Sequence, residues 1–147
     1  VAAKVKYKLD ETAMEDMFFD ETCLLGIGSA LPPYRLCWLI NQHLDLDFIC
    51  DPDLMLQSVS KDRSARHAVY EYRLPNSANR YLLYQLKNNN ISLLPEISTV
   101  DYLWLVQTFE YEEDAQAIAS SLRSLPDIQF CQVIDRRQLK RARSLIV

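Results

Sequence analysis

Residues 100–109, VDYLWLVQTF, contain an apolar run from Tyr102 to Val106 that no polar side chain interrupts. In an extended chain, alternate side chains point to opposite faces. The run therefore predicts a buried strand, with Tyr102, Trp104 and Val106 packing on one face and Leu103 and Leu105 on the other. It is far shorter than the roughly 18 apolar residues of a membrane span, and nothing else in the chain approaches that length. The chain must accordingly build a core around this strand from its other segments. With 147 residues, about half of them apolar and about a quarter charged, it reads as one soluble domain of ordinary size.

The flanking sequence supplies the partners. KVKYKL, residues 4–9, alternates with period two and predicts a strand with lysines on its wet face, suited to a sheet edge. Residues 18–28, FFDETCLLGIG, predict a second strand buried toward its end. SALPPYRLCWLINQHL predicts a helix capped near Ser29 or Ala30, with its prolines in the first turn. Leu36, Leu39, Ile40 and Leu44 form its apolar stripe, widened by Cys37 and Trp38, while Arg35, Asn41 and Gln42 face water. A short strand follows in DLMLQSV. Residues 66–74, with Ala68, Tyr70, Tyr72 and Leu74 on one side, then pair with residues 80–87 around the PNSANR loop.

The NNN segment at 88–90 is a further turn, since asparagine tolerates the left-handed region. With only two glycines, few positive-φ turns are expected. In residues 111–125, Tyr111, Ala115, Ile118, Leu122 and Leu125 recur at helical spacing, with acidic residues in the first turn and Pro126 as the stop. DIQFCQVID is a strand, and the basic end reads as a short helix followed by a terminal strand, SLIV. The order predicts an α+β fold: a mostly antiparallel sheet of about five to seven strands, with two main helices packed on at least one face.

Cys23, Cys37, Cys50 and Cys131 lack the close spacing of a metal or redox site. They read as reduced, structural residues of a cytoplasmic protein. The N-terminus has no continuous apolar core and does not read as a signal peptide. Charge is uneven. Residues 135–147 set Arg136, Arg137, Lys140, Arg141 and Arg143 against Asp135, a net +4; with −4 overall, residues 1–134 carry −8. An acidic body argues against general nucleic-acid binding, although the basic tail is a candidate contact for RNA or an acidic partner.

LPEISTVDY, residues 94–102, resembles the signature of the IPExxxVDY family of small bacterial proteins. Pro95, Glu96, Val100, Asp101 and Tyr102 match, and Leu94 stands where the family has Ile. LLGIGSALPPYRLCWLINQHLDLDF and the ending RARSLIV are also similar to family segments. The resemblance implies a bacterial origin and no particular activity.

Read as chemistry, Glu96 and Asp101 are five residues apart, about 16 Å in extended chain, against roughly 5 to 9.5 Å for paired hydrolytic carboxylates. A turn-to-strand junction is the better reading: Glu96 takes a backbone N–H or an arginine, Ser98 and Thr99 turn, and Asp101 and Tyr102 start the strand. Tyr34 and Arg35 open a helix after GIGSALPP without a phosphate-loop or dinucleotide fingerprint; Gly26 and Gly28 there serve close packing. His43 and His67 lack nucleophile or metal-ligand neighbours in the sequence. Tyr70, Tyr72, Tyr81 and Tyr84 share one hairpin, where cross-strand packing is the default over base stacking.

No catalytic, metal or cofactor set is expected. The expectation is a non-catalytic protein that binds a macromolecule, most simply an unidentified protein. Its candidate contact residues are Pro95, Glu96, Asp101, Tyr102, Tyr34 and Arg35. The alternative is an enzyme or small-ligand domain with a pocket near Pro95–Tyr102.

Overall fold

A computed structural model describes the backbone of residues 2–147 and the side chains of residues 10–147. In chain order the main elements are α1 (Ala2–Phe19), β1 (Thr22–Gly28), α2 (Pro33–Leu44), β2 (Ile49–Cys50), β3 (Leu56–Ser60), β4 (Arg63–His67), β5 (Val69–Arg73), β6 (Arg80–Gln85), β7 (Lys87–Asn88), β8 (Ile91–Ser92), β9 (Tyr102–Gln107), α3 (Tyr111–Leu122) and β10 (Phe130–Ile134). Six strands form one antiparallel sheet in the order β10-β1-β9-β6-β5-β2, and β3-β4 and β7-β8 are separate hairpins. The fold is α+β.

The apolar run sits at the centre of this sheet as β9, between β1 and β6. On one face Tyr102, Trp104 and Val106 join a core with Leu36, Cys37 and Ile40 of α2 and Ala115, Ile118, Ala119 and Leu122 of α3. On the other, Leu103 and Leu105 pack with Phe19, Leu86, Leu94 and Val100 and with Leu139, Ala142 and Leu145 of the chain's end. Both faces are thus covered: one by two helices, the other by the end of α1 and by irregular segments too short for their apolar residues to show a period in the sequence.

Several expectations are corrected. Residues 4–9 are not a strand; their backbone belongs to α1. Lys–apolar alternation lasts only six residues, while Ala2, Ala3, Glu11, Ala13, Met14, Glu15 and Met17 around it are strong helix formers. Phe18 and Phe19 close that helix, so the next strand begins at Thr22. The two expected helices, α2 and α3, pack on one face of the sheet, and α1 is a third among the described residues. The terminal SLIV is not a strand: Ala142–Leu145 is a 3₁₀ turn, as is Arg136–Gln138. Pro32, not Ser29 or Ala30, caps α2. Trp38 does not widen the buried stripe; it is 63% exposed.

The hairpin of residues 66–74 with 80–87 is present as β5-β6, with Tyr72 directly opposite Tyr81 and their rings 5.9 Å apart. It breaks at Ala68, where Gln85 satisfies the backbone on both sides. Tyr84 faces away from the other three tyrosines and donates to the Leu145 carbonyl at 2.7 Å. Positive φ is carried by Glu21, Asp45, Lys61, Asn76, Asn89 and Asn90 and by neither glycine. The scarcity of glycine therefore did not limit such turns. The glycines serve close approach instead: a Cβ on Gly28 would overlap the Phe130 ring, and one on Gly26 would lie 2.9 Å from Ile134.

Candidate functional site

The segment 94–102 is a junction built from three parts. Pro95–Ile97 forms a 3₁₀ turn, Val100 donates its N–H back to the Ile97 carbonyl, and β9 starts at Tyr102. Glu96, Asp101 and Tyr102 each hold backbone from elsewhere. Asp101 Oδ2 accepts the Ser29 N–H at 2.9 Å, and its Oδ1 meets Lys87 Nζ at 3.1 Å. Tyr102 donates its hydroxyl to the Leu31 carbonyl at 2.6 Å. Glu96 accepts the Arg141 N–H at 3.0 Å. Burial pushes the Tyr102 hydroxyl well above the usual phenol range, with the Asp101 charge adding to it, so it stays a donor.

The bonds from Asp101 and Tyr102 converge on the loop between β1 and α2. Ser29 is itself buried, and its hydroxyl donates to the Asp127 carbonyl at 2.8 Å and lies 3.2 Å from the Leu31 N–H. The loop is thus pinned from the start of β9 and from the segment after α3. Immediately beyond it α2 begins, and its outward side carries Tyr34, 69% exposed, then exposed Arg35, then Trp38 one turn on. Tyr34 and Arg35 are not drawn into the 94–102 segment; that segment sets where they stand. At 100° per residue Trp38 lies roughly 145° from the mean direction of Leu36, Cys37, Ile40 and Leu44. Its exposure was therefore readable from the spacing.

Glu96 and Asp101 share no partner and no hydrogen bond among the described residues. His67 is fully buried in β4: its Nδ1 faces the Gln85 carbonyl at 3.0 Å, so Nδ1 carries the proton, and Nε2 lies 2.7 Å from the Ser58 hydroxyl. Burial lowers its pKa below 6.5, partly offset by the bond to Gln85. His43 bridges α2 to α3, with Nε2 3.2 Å from the Ser121 carbonyl and 3.0 Å from its hydroxyl. Ser58 and His67 thus stand as a serine–histidine pair, with Nε2 free to accept the hydroxyl proton and the Gln85 carbonyl, not a carboxylate, holding Nδ1. Burial also raises the Cys37 and Cys131 thiols to about 11, which suits core residues rather than reactive ones.

In the basic segment Arg136 pairs with Asp16, Arg137 with Asp135, and Arg143 with Glu11 and Glu15. Lys140 and the Arg141 guanidinium have no ion pair among the described residues. A cavity of about 550 Å³ borders Pro95 and Ser98, walled by β3, by residues 90–93 and by Arg141 and Ser144. Sequence reading took Ser29 for a helix cap and passed over Lys87, because Asp101, the acceptor that each meets, lies far along the chain.

Comparison of the chain with protein-family models and with curated proteins finds no match.

Proposed function

We propose that this chain is a non-catalytic, cytoplasmic bacterial protein of the IPExxxVDY kind that acts by binding another protein through the exposed start of α2. The observation that carries the reading is the pairing of Tyr34 and Trp38, two large aromatics one helical turn apart and both mostly exposed, beside Arg35. Tyrosine, tryptophan and arginine are the residue types that dominate binding hot spots. An isolated protein gains nothing in stability by holding two such rings in water. The backbone bonds made by Glu96, Asp101 and Tyr102 support this assignment, since they leave the 94–102 segment with a positioning task. The ion pairs of the basic tail favour a protein partner over RNA, because much of its charge already meets this chain's own carboxylates.

The test is quantitative capture from an extract of the source cells by the full chain and by Tyr34→Ala/Trp38→Ala. A stoichiometric partner retained by the wild type and lost by the variant, at equal thermal stability, is the expected result. Equal capture by both removes α2 from the account.

A second reading has its own observation. Ser92 Oγ, on the wall of the 550 Å³ cavity, is buried without a hydrogen-bond partner among the described residues. A small polar ligand there would satisfy it. Saturable binding of a metabolite that protects residues 90–98 from exchange would favour this reading over the first.

A further inference from the structure

On the side of the molecule where α1 ends and α3 begins, three hollows lie next to one another with Tyr111 in the wall of each. Cys23, Tyr111 and Val133 supply the apolar floor on the α3 side, Leu24 and Ile134, which belong to the opposite face of the sheet, supply apolar lining at the α1 end, and Phe109 stands beside Tyr111, 82% exposed. One bank carries Asp16, Asp20 and Glu21, and the other Glu110, Glu112 and Glu113. Among the described residues, all of these carboxylates except Asp16 lack a cationic partner. The field of Glu112 reaches the floor, where it helps burial to raise the Cys23 thiol pKa.

The groove already shows how it holds a cation. Arg136 enters it, meets Asp16 at 3.4 Å, and lies over the Phe19 ring at 5.3 Å. A carboxylate beside an aromatic face is a favourable seat for a guanidinium. The remaining carboxylates repeat the charge along the groove, beside the Tyr111 ring.

We propose that this groove is a second docking site, which takes an extended basic segment of a protein partner with apolar side chains between its lysines and arginines. Charge complementarity names the cations, and the floor names the apolar residues. A bare polyamine leaves Cys23, Val133 and Phe109 uncovered, and nucleic acid is repelled by both banks. The proposal is independent of the α2 face, which carries none of these residues.

The test uses the full chain and a short fluorescein-labelled peptide of Lys-Leu-Arg-Ser repeats, read by anisotropy at physiological salt. Glu112→Gln/Glu113→Gln removes two exposed charges from the groove. Asp47→Asn/Asp53→Asn removes two near β2, at the opposite edge of the sheet from β10. The expected result is binding that weakens about tenfold in the first variant and by less than about twofold in the second. Replacing the peptide's leucines by glycine weakens it as well, and spermine competes poorly. Equal weakening by both variants reduces the effect to net charge and overturns the site, as does binding insensitive to Glu112 and Glu113, or no binding. Val133→Ser leaves charge untouched and probes the floor: weaker binding is expected, and unchanged affinity contradicts the apolar contact.

Discussion

Asp101 illustrates how two contacts of one side chain differ in worth. Its bond to the Ser29 N–H serves a donor that is only 4% exposed as a residue, whereas its ion pair joins side chains 37% and 28% exposed. A buried donor left without an acceptor costs about 1–3 kcal/mol, and a solvent-screened ion pair contributes about 0–1 kcal/mol. Asp101→Ala is therefore expected to lower the urea midpoint by the larger amount and Lys87→Met by the smaller, both at unchanged slope. Equal losses would show the ion pair to be the main contact.

His67 makes a prediction in pH. Its folded pKa lies below 6.5 because the charged form is desolvated, so on acidification the unfolded chain takes up the proton first. Stability contributed by the neutral ring is intact above pH 6.5. It falls as pH drops from there toward the folded pKa, then levels off. His67→Gln is expected to flatten the stability profile in that window relative to wild type, as measured by denaturant melts between about pH 7.5 and 5. Parallel profiles would contradict it. The sequence showed His67 alternating within a strand but not its acceptor at Gln85, a bond made only when the hairpin closes.

At the scale of elements, the legible parts are those whose pattern repeats. β9, α3 and the β5-β6 hairpin follow from period and turn chemistry, because each buries a regular stripe. The reading failed where a short pattern competed with propensity, as in residues 4–9. It failed too where burial is irregular, as in the tail, whose Leu139, Ala142 and Leu145 cover the sheet from 3₁₀ turns and the bends beside them. Close approach between β1 and β10 was legible only as a reason for two glycines, without the partner. Gly28→Ala puts a methyl group on the Phe130 ring and is expected to cost about 1–3 kcal/mol. Phe130→Leu in the same chain should recover part of it, a coupling that a double-mutant cycle reads directly. Gly26→Ala should cost less, because its nearest contacts, Ile134 Cδ1 and Cγ1, lie at 2.9 Å, a smaller overlap than that with the Phe130 ring. An additive cycle at Gly28 and Phe130 would contradict this packing.

Across the whole molecule, the 94–102 segment joins parts far apart in sequence. Through Asp101 and Tyr102 it fixes the loop that leads into α2, and through Glu96 it fixes the tail that covers the opposite face of the sheet. The candidate surface was only half legible, because its parts too come from distant segments. Tyr34 and Arg35 stood out beside the glycine-containing turn. Trp38 was misassigned to the core, and the acidic groove was invisible because it is assembled from α1, β1, β10 and α3. Within this arrangement the segment's carboxylates act on the chain's own backbone. Native-state amide exchange tests that claim most directly, in Asp101→Ala and Glu96→Ala. Ser29 in the first variant and Arg141 in the second should each exchange at least about tenfold faster than in wild type, with distant core amides changed only by the global shift in stability. Unchanged protection of Ser29 and Arg141 in both folded variants would contradict the account and return Glu96 and Asp101 to the surface as contact residues.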